Sequence, residues 1–250
     1  MIVTVTANPA IDRTCRLAVL RPGSLHRTTA VRVEPSGKGV NVGRVLHRLG
    51  LPARMVVTAG GAEGRMLADL LAQLPPAPHV DLVPVVGSTR VNITVLGDGE
   101  PTKINEPSSA LSPVEADRIV ATVADTLAAG DVRWLACCGS LPAGTDPALI
   151  TKLVEVARRT GVPVAVDASG AALAAAVAAC ADLVTPNRDE LAELVGWPLD
   201  TFPDSVAAAR EIRARTGGSV LVSLGADGAL LLTEAGGYRR LSARRRWPGR

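Results

Sequence analysis

The stretch VRWLACCGSLPAGTDPALITKLVEVARRTGVPVAVDASG, residues 132–170, decides the fold class. Val132–Cys138 is a mostly apolar run, Pro147–Thr160 carries apolar residues at helical spacing, and Val162–Asp167 is apolar and β-branched again. A strand, a helix and a second strand in that order form a crossover unit, the connection that parallel strands require. Working outward, strands are expected at Ile2–Thr6, Ala53–Ala59, Leu183–Thr185 and Val220–Leu224. Helices are expected at Lys38–Leu49, Glu63–Leu74, Pro113–Ala129, Arg188–Val195 and Asp204–Thr216. This alternation predicts an α/β fold with a mostly parallel sheet and helices on both faces. Two stretches break the rhythm. Thr14–Val33 reads as two strands around Arg21-Pro22-Gly23, and Thr89–Asn105 as two strands around Gly97-Asp98-Gly99. Both alternate apolar and polar residues, the pattern of an antiparallel sheet with one solvated face. The expectation is an α/β domain carrying a small β-sheet made from two insertions.

Composition agrees. The chain has 250 residues, 47% hydrophobic and 20% charged, which excludes disorder, collagen and a disulfide scaffold. Aromatics are only 2%, so Ala, Val and Leu must build the core. The formal charge of +3 is misleading, because residues 239–250 hold six Arg and no acid, leaving the rest of the chain net acidic. Cys15, Cys137, Cys138 and Cys180 show no C-x-x-C spacing and read as buried reduced thiols. His26, His47 and His79 lie far apart, so a His-based zinc site has little support. The start lacks a basic segment before its apolar run, and the Ala-rich run Ala171–Ala181 is too short to span a bilayer. A cytoplasmic protein with no membrane partner is expected. Six arginines without interleaved aromatics do not make a nucleic-acid reader, so no nucleic-acid partner is expected either.

Candidate chemistry clusters after the expected strands. Ser36-Gly37-Lys38-Gly39-Val40-Asn41 opens a helix whose apolar positions fall at Val42, Val45, Leu46 and Leu49. Backbone amides at a helix start beside a Lys favour an anion. A Walker A loop would need Gly at position 32 and Ser or Thr after the Lys, where the chain has Arg32 and Gly39. A dinucleotide fingerprint matches at Gly37, Gly39 and Gly43 but lacks the buried apolar strand before it. Asn8-Pro9-Ala10-Ile11-Asp12 follows the first strand, Gly139-Ser140-Leu141-Pro142 another, and Asp167-Ala168-Ser169-Gly170 the next. Thr185 to Glu190 and Ser223 to Gly228 follow two more. One such loop is ordinary turn chemistry, but so many at the carboxyl ends of strands suggest a site. Each residue also has a plainer reading. Arg90 and Lys103 suit the wet face of the small sheet, and Asn187 and Asp167 suit helix caps.

Taken together, N-P-A-I-D at 8–12, S-G-K-G-V-N-V at 36–42, T-R-V-N-I-T at 89–94 and T-K-I-N-E-P at 102–107 resemble the ribokinase-like (phosphofructokinase B) sugar kinases. Within that family the motifs look most like 1-phosphofructokinases, with tagatose-6-phosphate kinases close behind. The resemblance runs from Met1 to about Thr233. It implies a large α/β domain, a β-sheet lid at roughly 12–34 and 88–107 that pairs in a homodimer, and transfer of phosphate from ATP with Mg2+ to a sugar hydroxyl. By matching motif, Asp12 resembles the residue that hydrogen-bonds sugar hydroxyls. Gly37, Gly39 and Asn41 look like the face against which the sugar lies. Lys38, Arg90 and Lys103 are candidates for the phosphate already on the substrate, and Ser140 looks like a further substrate contact. Asn187 and Glu190 match the family's N-x-x-E, associated with magnesium, and Asp167 is a candidate to assist it through solvent. Asn187, Ser223, Gly225 and Gly228 resemble nucleotide-binding positions. Thr185 departs from the family, where Lys is common.

The resemblance also sets an expectation about the end of the chain. Family members continue to a G-A-G-D motif whose Asp deprotonates the attacking hydroxyl, and that string does not occur in these 250 residues. The reading is a kinase domain over 1–238 lacking the family's C-terminal portion, followed by an atypical Arg-rich tail at 239–250. No catalytic base is assigned. A positioned base is worth ~10²–10⁴-fold in rate, so the expectation is weak transfer, or sugar-phosphate binding without transfer.

Overall fold

The computed structural model describes residues 1–75, 77–233 and 238–241, the last four by their backbone alone. The chain divides into two compact units, one formed by Met1–Val132 with Cys138–Asp146, the other by Arg133–Cys137 and residues from Pro147 onward.

In the first unit β1 (Ile2–Thr6), β4 (Ala53–Ala59) and β5 (His79–Pro84) pair in parallel in that order. Helices α1 (Lys38–Arg48), α2 (Gly61–Ala72) and α3 (Pro113–Ala128) pack on them. The core gathers Ile11, Val40, Met55, Val57, Leu67 and Leu71. Helix α1 meets the sheet through Gly39, Val40 and Gly43, its buried residues. A Cβ on Gly39 would lie 2.4 Å from Thr6 Oγ1 and 2.8 Å from the Val5 carbonyl oxygen, so the glycine is what permits this approach. The expected apolar face is therefore turned outward at Val42, Val45 and Leu49, with Leu49 67% exposed. Glycine-mediated packing leaves no room for those larger side chains beneath the helix.

The second sheet of this unit has the order β3-β2-β6-β7. Its strands are β2 (Ala10–Arg16), β3 (Ala30–Ser36), β6 (Arg90–Leu96) and β7 (Thr102–Asn105). Each insertion forms an antiparallel pair, as the alternating pattern predicts. The two pairs join differently: β2 and β6 run parallel, with Ala10 opposite Arg90 and Asp12 opposite Asn92. The sheet is thus mixed rather than wholly antiparallel. The expected loop 8–12 is also partly strand, since Ala10–Asp12 already belong to β2.

In the second unit the strand order is β8 (Trp134–Cys138), β9 (Val164–Asp167), β10 (Leu183–Val184), β11 (Ser219–Ser223), β12 (Ala229–Leu232) and β13 (Tyr238–Leu241). β9, β10 and β11 are parallel, and β12 and β13 add antiparallel strands. Its helices are α4 (Ala148–Arg159), α5 (Gly170–Ala178), α6 (Arg188–Val195) and α7 (Phe202–Thr216). The Ala-rich run is α5, and no helix among the described residues is long and apolar enough to cross a membrane. Residues 239–241, placed in the irregular tail by their sequence, pair with β12; the rest of that tail lies outside the described residues. The thiols are less buried than expected. Cys137 is buried, Cys15 and Cys138 are half-buried, and Cys180 is exposed.

Candidate functional site

The second sheet of the first unit sorts its side chains by pleat, since residues directly opposite across strands share a face. One face carries Glu34, Asp12, Asn92 and Asn105 in a row, and Thr14, Thr94 and Lys103 in the next. Arg90, opposite Ala10, opens the same face at its other end. Three candidate residues, Asp12, Arg90 and Lys103, from three separate motifs are thereby placed on one surface. Asn92 Nδ2 donates to Asp12 Oδ1 at 3.0 Å and orients the carboxylate. Two polar atoms here are buried without a hydrogen-bond partner among the described residues, Arg90 Nε and Asn92 Oδ1. A buried donor or acceptor left unpaired costs free energy, so these atoms mark a place suited to a polar ligand.

Three further loops of the same unit meet nearby. Asn8 Nδ2 donates to Ser140 Oγ at 3.4 Å, tying the loop after β1 to the Gly139-Ser140 turn. A Cβ on Gly139 would lie 3.6 Å from Lys38 Cβ, so this turn abuts the start of α1. Asn8, Arg90, Ser108, Glu115 and Pro142 line one small polar cavity. Gly37, at φ 124°, and Gly39 shape the start of α1, where Lys38 and Asn41 are exposed. Asp12, Arg90, Lys103, Lys38, Asn41 and Ser140 therefore all belong to one unit.

Glu115 anchors the approach to Arg90. Only 6% exposed, it accepts from Val86 N at 2.6 Å and from Ser112 N and Ser112 Oγ at 2.7 Å. These donors, the Val86 amide first, hold its carboxyl below the usual carboxylate range. Thr89 N donates to the Gly60 carbonyl at 2.9 Å, fixing the other end of the segment that leads into β6.

The second unit gathers the remaining candidates. Asn187 caps α6, its Oδ1 accepting from Glu190 N at 2.9 Å while Glu190 Oε2 accepts from Asn187 N at 2.8 Å. The N-x-x-E pair is thus a capping box, the plainer of its two readings, although Glu190 keeps a second carboxylate oxygen outside it. Ser223 N donates to the Pro186 carbonyl at 3.0 Å, and Asn187 bridges Ser223, so α6 and the end of β11 meet. Gly225–Asp227 forms a single helical turn, closed by Gly228 at φ 93°. Arg188 spans the two segments by donating to Asp227 Oδ2 at 2.9 Å. Asp167 ends β9 and is half-buried. Among the described residues no three His, Cys, Asp or Glu side chains converge on one point. Carboxylate and amide oxygens are the donor types that Mg2+ accepts, an ion that keeps waters and takes its other ligands from phosphates.

Sequence reasoning passed over Asn8, Asn92 and Arg188 as individual site residues. The first two stand inside quoted motifs, but only the cross-strand register and the contact with Ser140 single them out.

Comparison with known proteins identifies the family. The model of the pfkB family carbohydrate kinases matches residues 5–246. The 1-phosphofructokinase of Rhodobacter capsulatus is 35% identical over 94% of this chain and 74% of its own length. The ATP-dependent 6-phosphofructokinase isozyme 2 of Escherichia coli is 36% identical over 92% of this chain and 74% of its own. The crystal structure of phosphofructokinase-2 from Escherichia coli in complex with fructose-6-phosphate superposes with a TM-score of 0.87 at 34% identity, covering 96% of this chain and 79% of that one. The family match and the fold thus define a carbohydrate kinase of ribokinase-like architecture. The chain belongs to the pfkB family of carbohydrate kinases.

Proposed function

We propose that the chain serves ATP-dependent phosphorylation of a sugar phosphate, with fructose 1-phosphate as acceptor and fructose 1,6-bisphosphate as product. The observation that carries the reading is the Arg90 guanidinium, its Nε buried and without a partner among the described residues, on the same sheet face as the oriented carboxylate of Asp12. That face offers a cation for a phosphate and an acceptor for hydroxyl groups. Lys38 and Lys103 add positive charge, and Gly37, Gly39, Asn41 and Ser140 supply small or polar surface for the sugar. In the second unit Asn187, Ser223, Gly225 and Gly228 would receive the nucleotide. Glu190 and Asp167 would hold Mg2+ through its waters, and the ion would neutralise phosphate charge there.

Fructose 6-phosphate is the second reading, favoured by the equal likeness to the isozyme 2 protein named above; tagatose 6-phosphate is the third. Incubation with MgATP and each of the three sugars, following ADP, tests the order. Release of ADP with fructose 1-phosphate is the expected result, and release only with one of the other two overturns the substrate. Calorimetric binding of fructose 1-phosphate without ADP release would instead support a binding role without transfer.

A homodimer through the second sheet belongs to the same proposal. Its other face is apolar at Val31, Ile93, Val95 and Ile104, and Val31 and Ile104 are more than half exposed. A second copy would cover it. Light scattering on Val31→Asp should then show a monomer where the unmodified chain is a dimer. A cytoplasmic setting follows from the same reading, because both proposed substrates are charged phosphate esters.

A further inference from the structure

We propose that Arg188 grips the polyphosphate of the bound nucleotide, exchanging Asp227 for a phosphate oxygen on binding. The inference rests on the nucleotide reading of the second unit. The segments that follow β9, β10 and β11, residues 167–170, 185–190 and 223–228, contain four carboxylates, Asp167, Asp189, Glu190 and Asp227, and one cationic residue, Arg188. A triphosphate brought against such a surface meets net negative charge, and a guanidinium is the group best suited to offset it. The arginines Arg158, Arg159 and Arg213 lie in the last turns of α4 and α7, which lead into the opposite ends of the strands, and Arg215 lines a cavity with Gly170 and Glu190 but already donates to the Leu194 carbonyl at 3.1 Å. Within these segments the charge count therefore falls on Arg188.

Its bonding points the same way. Arg188 Nε is buried and has no partner among the described residues, while its NH2 group is held by Asp227 at 2.9 Å. The guanidinium is aimed at the junction of α6 and the Gly225–Asp227 turn with a donor still to be satisfied. Asp227 is more than half exposed, so its carboxylate regains water when released, and an ion pair of that kind holds weakly. The backbone around it is fixed by the capping box and by the bond from Ser223 N to the Pro186 carbonyl. The exchange therefore needs a side-chain movement alone.

Calorimetric titration of the full chain with ATP and, separately, with adenosine tests this. Arg188→Ala should weaken ATP about tenfold or more, the loss of a charge-assisted hydrogen bond, and leave adenosine within about twofold. Asp227→Asn, which releases Arg188 without removing it, should bind ATP at least as tightly as the unmodified chain. A smaller loss in Arg188→Ala, an equal loss for ATP and adenosine, or weaker ATP binding in Asp227→Asn would each overturn the proposal. An unmodified chain that binds neither ligand would bring down the nucleotide reading itself.

Discussion

The two units hold their candidate residues in opposite ways. In the first, sheet register presents Asp12, Asn92 and Arg90 on one face and leaves Arg90 Nε and Asn92 Oδ1 without partners among the described residues. In the second, most of the polar groups already bond to one another, Asn187 with Glu190 and Arg188 with Asp227, and only Arg188 Nε among these lacks a partner among the described residues. A ligand entering the first unit finds a donor and an acceptor already placed, which lowers the ordering cost of binding. A ligand entering the second must displace bonds that also hold the fold. Substitutions of Asp12, Asn92 or Arg90 in the first unit should therefore alter affinity with little loss of stability, whereas those of Asn187 or Glu190 in the second should alter both.

The largest expected effect is at Arg90. Arg90→Ala should weaken fructose 1-phosphate by about ten- to hundredfold, the worth of a charged hydrogen bond, with ATP affinity unchanged in calorimetry. Equal losses for both ligands would break the separation between the units.

Next is Glu115, whose role in the first unit is structural. Glu115→Gln puts an amide donor against the Val86 or Ser112 N–H and should cost about 1–3 kcal/mol in urea unfolding at pH 7. The carboxyl is held below its ordinary value of 4.5, so its contribution is complete above that pH and is lost as pH falls through the lower folded value. The stability gap between the two proteins should accordingly narrow in acid and stay constant from pH 6 to 8. A gap that widens in acid would contradict the assignment.

The smallest effect is at Asn187. Asn187→Ala removes the α6 cap and should cost about 1 kcal/mol. Because the same group faces the proposed nucleotide, ATP binding should weaken alongside stability. Lost stability with unchanged ATP affinity would leave Asn187 a cap only.

What was legible in the sequence follows from the range of the forces involved. The bounds of α6 were readable to the residue because Asn187 and Glu190 at one end, and Gly196 at φ 79° at the other, are local signals. The crossover at 132–170 was readable for the same reason. β5 and β12 were not: each is short, flanked by Pro or Gly, and held by pairing with a neighbouring strand. The parallel join of β2 and β6 links residues 80 positions apart, as in the bond from Asn92 to Asp12, and no local pattern encodes it. The outward turn of Val42, Val45 and Leu49 shows the converse failure. Helical spacing there predicts burial, but the close approach of Gly39 to β1 decides which face is inside. At the site, residue types were legible through their motifs, while the roles of Asn92 and Arg188 depended on register and ion pairing.

The central claim, that the first unit is a preformed sugar-phosphate site, is tested most directly by titrating fructose 1-phosphate and fructose into the chain without nucleotide. Saturable binding of fructose 1-phosphate, with fructose at least about tenfold weaker, is the predicted result. Equal binding of the two sugars, or none of either, would contradict it.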